Sequence, residues 1–265
     1  MPRDYFDRDA WTGRLKGYER PTPTMTLRAP LRRARSSGAG AFLGLGSDGN
    51  QYWFKVPGNP QGDRVLVNEV IVEEVGRLIG APVCRRALAL VPPSSSRWTD
   101  FPVRPSEHPL VAHASLHVPG AVDDDALAYT RRDDNARRQA SLLALWDLCV
   151  GDDEQWLYDA SNSSSIWSYD HGLWFTTGEG DWDTSVLERL ADLDGAFRNP
   201  PAGLSKEALL QVADRLESLT PDSYVRAMSA VPLEWGASDH DLESMAWFLY
   251  YRAPAVAART RRIAA

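Results

Sequence analysis

Lys55 closes the aromatic stretch QYWFK, and Glu69 follows within RVLVNEVIVEEVGRLIG. Of 29 basic residues only Lys16, Lys55 and Lys206 are lysine; the rest are arginine. An ammonium is a compact point charge, whereas a guanidinium is a planar fork. A lysine kept at a strand end suits a task in which one charge bridges phosphate groups and a helix carboxylate. The bland alternative is chance placement. Further on, GDDEQWLYD supplies Asp152, Asp153, Glu154 and Asp159, and SYDHG supplies Asp170. Phosphoryl transfer needs a carboxylate beside the acceptor hydroxyl and ligands that hold Mg²⁺ on the phosphates. The DDE run also reads as a solvated loop. Asp170 is harder to dismiss, because large apolar residues flank it in IWSYDHGLWF and a buried carboxylate without a cation is costly.

Those residues need elements to place them. SSGAGAFLGLGSDGNQYWFKV reads as a glycine-bearing turn, a strand, a hairpin turn at GSDGN and a second strand ending on Lys55. PGNPQGD is a loop. Leu66, Val67, Val70, Ile71, Val75, Leu78 and Ile79 have helical spacing, and Gly80 is a stop. APVCRRALALVPP reads as a third strand. NARRQASLLALWDLCVG is a helix that delivers the acidic loop, and IWSYDHGLWF reads as paired short strands. TSVLERLADLDGAFR, SKEALLQVADRLESL and SDHDLESMAWFLYYR read as helices with Ser/Thr starts. A glycine turn, a strand ending in Lys and a helix carrying Glu form the small lobe of a kinase in outline.

Composition bounds the alternatives. The chain has 265 residues, 43% of them hydrophobic, and no apolar run long enough to span a membrane. Two cysteines, Cys84 and Cys149, read as reduced and buried, so a cytoplasmic location is expected. The formal net charge is −7. Basic residues concentrate in the first 40 and acidic ones beyond, which argues against a broad nucleic-acid surface. Residues 1–35 are expected to be a basic arm or an added edge element, 36–92 a small lobe, and 93–265 a helical lobe with the catalytic loop.

On DGNQYWFKVPGNPQGDRVLVNEVIVEEVGRLIGAPV and on LWDLCVGDDEQWLYD…SYDHGLWF, the chain resembles the HipA-like kinases. These are atypical bacterial Ser/Thr kinases distantly related to phosphoinositide kinases. The resemblance implies an α+β, two-lobed protein-kinase-like fold with a small mixed α/β N-lobe and a helical C-lobe. It implies ATP and Mg²⁺ as cofactors and a protein hydroxyl as acceptor. By this likeness Lys55 is the phosphate lysine, Glu69 its helix partner and Asp170 the metal-binding Asp. Gly38, Ala39 and Gly40 fall at the phosphate loop, and Ser36 or Ser37 at an inhibitory phosphorylation site. Many members carry G-N-x-D-R-x-x-x-N in the catalytic loop. Strict register puts Glu154 at the base, Gln155 at the Arg and Asp159 at the metal-binding Asn. A shift by one puts Asp153 at the base, and that is preferred, with Gln155 placed beside the nucleotide. The missing Arg and Asn leave room for a nucleotide-binding pseudokinase acting through a partner. A kinase of a small-molecule or lipid hydroxyl is a further alternative. The chain is shorter than the toxin-type members, and no toxin role is carried over.

Other signals point less far. His108, His113 and His117 have no carboxylate motif beside them and read as surface or cleft histidines rather than a zinc set. His171 beside Asp170 suggests a dyad, but neighbours on a strand face opposite ways. Trp146, Trp156, Trp167 and Trp174 read as core.

Overall fold

The computed structural model describes residues 3–176 and 181–265. Five strands close a small barrel: β1 (Met25–Arg33), β2 (Phe42–Gly46), β3 (Gln51–Lys55), β4 (Arg86–Val91) and β5 (Leu110–Leu116), in the order β1-β2-β3-β5-β4. Neighbours are antiparallel except β1 and β4, whose parallel pairing at Met25–Ala89 and Thr26–Leu90 completes the ring. Pro30 lacks a backbone N–H, and β1 absorbs it by shifting register on either side of the Ala29–Pro30 pair. Met25, Leu27, Phe42, Phe54, Ala89, Val91, Ala112 and Ala114 fill the interior. Trp98, Phe101 and Val103, from the long β4–β5 connection, pack against it.

Helix α1 (Arg64–Ile79) follows β3 through loop 56–63 and ends at Gly80, whose φ of 76° is open to glycine. It is buried on nearly every side, because the barrel covers one flank and the helices the other. A second sheet holds β6 (Ala121–Asp124), β7 (Trp156–Asp159) and β8 (Ser165–Ser168). Helix α2 (Asn135–Leu148) leads into β7. The rest is helical: α3 (Thr184–Leu190), α4 (Lys206–Ser218), α5 (Pro221–Ser229) and the long α6 (Asp239–Ala264). No helix among the described residues is long and apolar enough to cross a membrane.

Three expectations change. Residues 1–35 are not an arm. Trp11 and Leu15 are buried in the helical core, the buried Glu243 carboxylate accepts the Gly13 and Leu15 N–H groups, and β1 is a barrel strand. The boundary at residue 92 also moves, since β5 returns to the barrel and pairs with both β3 and β4. Finally, only the first three residues of IWSYDHGLWF are strand. β8 stops at Ser168, and Asp170 has a φ of 56°, so residues 169–175 turn instead of pairing.

Candidate active site

Lys55 is the last residue of β3 and points out of the barrel toward α1. Its ammonium is paired with Glu69 and with Asp170. Lys55 and Glu69 are 6% and 4% exposed, whereas the Asp170 side chain is 38% exposed and faces the open side. Burial alone would lower the lysine pKa, but the Asp170 and Glu69 carboxylates outweigh it and hold it above its usual range. Burial would likewise raise Glu69, and Lys55 together with a hydrogen bond from His171 brings it well below the carboxylate range. Three separate elements therefore meet on one ammonium: a strand end, a helix face and a turn.

Helix α1 also anchors the turn. Val65, Asn68 and Glu69 lie at i, i+3, i+4 spacing on one face. The Asn68 amide donates to the Gly172 and Trp174 carbonyls at 2.7 and 3.0 Å and accepts from the Trp182 indole at 2.7 Å. A Cβ on Gly172 would fall 2.6 Å from Val65 Cγ1 and 3.5 Å from Lys55 Nζ, so only glycine lets the turn lie this close. Asn68 went unnoticed in the sequence. Its one signal was an Asn–Glu pair set among valines and isoleucines.

The acidic loop reaches the same place by another route. Trp156 pairs with Ser168 across the β7–β8 hairpin, so Asp153 and Gln155 before β7 lie at the same end as Asp170 after β8. Asp153 is exposed, has a φ of 56°, and accepts from the Gln155 amide. Glu154 turns aside. Its carboxylate accepts from the Trp156 indole at 3.2 Å, and its pKa is raised by burial and then by Asp125 and Asp124. Asp159 is not brought to the others. It pairs with Ser165 at the opposite end of the hairpin, about 10 Å along the strand from the Trp156–Ser168 level. There its carboxylate caps a short turn through Ser161, at 3.0 Å from the N–H and 2.6 Å from the hydroxyl.

The turn between β1 and β2 lies beside this cluster, because Phe42 pairs with Phe54, the neighbour of Lys55. Ala39 and Gly40 are buried. Gly40 has a φ of 68°, and a Cβ there would sit 2.5 Å from Pro102 Cβ. Gly38 lies against the Gln61 side chain. The Ala41 N–H donates to Ser37 Oγ at 2.9 Å and the Gly40 N–H to the Ser37 carbonyl at 3.2 Å.

The histidines divide. His108 is exposed, and His117 accepts from the Trp53 indole at 3.2 Å. His113 pairs with Lys55 across β3 and β5 and is buried, which brings its imidazole down to about 3. Among the described residues no three His, Cys, Asp or Glu side chains form a ready metal cluster.

Two solved structures share this architecture. One is a Helicobacter pylori proinflammatory kinase, CtkA, with 12% identity and a TM-score of 0.51, covering 93% of this chain and 96% of that one. Another is the Golgi casein kinase with Mn/ADP bound, with 10% identity and a TM-score of 0.52, covering 96% of this chain and 76% of that one. No protein-family model and no curated protein sequence matches the chain. At these identities the likeness is one of fold: the chain has a mixed α/β, kinase-like fold.

Proposed function

We propose that this chain is an ATP- and Mg²⁺-dependent phosphotransferase of the HipA-like type, acting on a Ser or Thr hydroxyl of a protein. The observation that carries the reading is the Lys55 ammonium clamped between Glu69 of α1 and the half-exposed Asp170. Mn and ADP in the Golgi casein kinase, which is similar in fold, support a nucleotide and a divalent metal here. The residues present fit a hard cation. The available donor is an oxygen, that of the half-exposed Asp170 carboxylate beside Lys55. Mg²⁺ typically takes one or two protein oxygens and completes its shell with phosphates and water. Asp159 has no place in that set. When bound, the metal would neutralise charge on the phosphates.

The chain's own residues do the rest. Lys55, fixed by Glu69, holds the phosphates in line. Asp153 orients the acceptor hydroxyl and takes its proton as the γ-phosphorus bonds to the acceptor oxygen and the bond to ADP breaks. Glu154 is a poorer base, because its carboxylate is turned to Trp156. The rival reading, a non-catalytic nucleotide binder, is favoured by Gln155 already engaging Asp153. Incubation with γ-labelled ATP, Mg²⁺ and a mixed protein acceptor separates the two. Label transfer by the wild type and its loss in Asp170→Asn support the kinase. Mg²⁺-dependent nucleotide binding without transfer supports the rival, and no binding at all removes both.

A further inference from the structure

His171 follows Asp170 directly, yet the two side chains serve different partners. Asp170 lies in the left-handed region at φ 56°, so the chain turns between them. Asp170 reaches Lys55, while His171 Nδ1 lies 3.3 Å from Glu69 Oε2. Its other ring nitrogen, Nε2, lies 2.8 Å from Ser168 Oγ. Glu69 spends its remaining oxygen, Oε1, on Lys55. An ionised carboxylate only accepts, so Nδ1 carries the hydrogen toward Glu69, and Nε2 shares a hydrogen with the Ser168 hydroxyl. The Trp174 ring meets the imidazole edge-on, with centroids 4.7 Å apart at 80°, and fixes its plane.

Serine, histidine and glutamate in this order have the outline of a hydrolytic triad. Burial excludes that role. Ser168 is 0% exposed, His171 3% and Glu69 4%, and the Ser168 N–H and carbonyl are both used, by the Pro82 carbonyl and the Cys84 N–H. No acyl group could reach the hydroxyl. The chain of contacts instead runs inward from β8 to the lysine.

We propose that His171 is a positioning residue: it pins Glu69 from the Asp170 turn, so that the phosphate lysine and the metal carboxylate are set by one hydrogen-bonded chain ending on Ser168. Glu69 is a flexible side chain, and with only Lys55 to hold it, the carboxylate could follow the ammonium away from the turn. Held at both oxygens, it makes helix α1 and the turn a single unit. The catalytic consequence rests on the kinase reading. The positioning itself does not.

Both are measured in one set of variants. His171→Phe keeps the contact with Trp174 and removes both hydrogen bonds. His171→Asn restores an N–H at the place of Nδ1. Lys55 acylation by an amine-reactive ester, followed by peptide mass spectrometry without nucleotide, reports whether the lysine is still held. The exposed Lys16 and Lys206 serve as internal standards. In His171→Phe, Lys55 acylation is expected to rise about tenfold relative to those standards, because a paired, buried amine is released. With Mg·ATP, kcat should fall at least about tenfold while KM for ATP moves less than about threefold, since alignment matters most in the transition state. His171→Asn should recover both to within about threefold. A folded His171→Phe with wild-type acylation and kcat would overturn the proposal, as would labelling of Ser168 by a fluorophosphonate. If the wild type neither binds nor transfers from Mg·ATP while His171→Phe still exposes Lys55, the positioning stands and the kinase reading falls. Should His171→Phe fail to fold, His171→Leu and His171→Ala carry the same measurement, and wild-type values in both overturn it.

Discussion

At the scale of single residues, the site depends on one ammonium. Lys55→Ala should fold, because the side chain serves the carboxylates more than the core, yet ATP binding should weaken and transfer should be lost. Lys55→Arg should be almost as poor, since a planar fork cannot occupy the point shared by Glu69 and Asp170. Isothermal titration with Mg·ATP checks both, and wild-type affinity in a folded Lys55→Ala would remove the lysine from the site. The acidic loop gives a ranking. Asp153→Asn should lower kcat by about 100-fold or more with little change in KM, the pattern for a group that acts in the transfer step. Glu154→Gln should stay within about threefold, because that carboxylate is held by Trp156. Steady-state kinetics of the pair decides, and the reverse order would make Glu154 the base. That Lys55, Glu69 and Asp170 meet was legible in the sequence, Lys55 as a rare residue type where a strand had to end, Glu69 as a carboxylate on the following helix and Asp170 as a carboxylate among large apolar residues. Asp159 misled because a spacing in letters says nothing about which end of a hairpin a residue occupies.

At the scale of elements, the acidic loop is held from beneath by Arg252 of α6. Its side chain is 1% exposed and donates to the carbonyls of Asp147 and Leu148 at the end of α2 and of Leu190, Ala191 and Leu193 around the end of α3. Helix C-termini leave carbonyls unpaired, and one guanidinium serves two of these ends. Arg252→Met should cost about 3 to 5 kcal/mol, because it leaves those buried carbonyls without their donor, while the Asp147 carboxylate keeps its two hydrogen bonds from Arg259. Denaturant unfolding measures it, and a loss under about 1 kcal/mol would contradict this account. The long helices were readable from apolar spacing and from serine caps such as Ser205 and Ser238. The barrel was only half readable. β1 alternates poorly because Pro30 forces shifts in register, and β5 was hidden by the histidines in HPLVAHASLH, two of which prove to be partly or wholly buried. The Asp170 turn looked like a strand, since aromatic neighbours imitate strand composition while its backbone is left-handed.

At the scale of the whole molecule, stability should carry the signature of the buried His113. Its pKa in the folded chain is brought to about 3, against about 6.5 when unfolded. A depressed pKa stabilises fully above the unfolded value and loses that contribution as pH falls toward the folded one. Between pH 7 and 5 this residue should remove about 2 kcal/mol, and His113→Leu should flatten the acid limb by that amount. Urea unfolding across that range tests it, and an equal slope in both proteins would show the histidine charged in the fold. The barrel, meanwhile, is joined to the remainder at four places: residues 19–24 before β1, 56–63 before α1, 80–85 before β4, and 117–120 after β5. Residues 82–84 are further stitched to β8 by the Val83–Ser168 bridge. A hatch hung on one side swings freely, but one fastened at four corners can only flex in its panels. Here one such panel is the turn at 34–41, which is free of those fastenings and leans through Gly38 on Gln61 of the 56–63 connection.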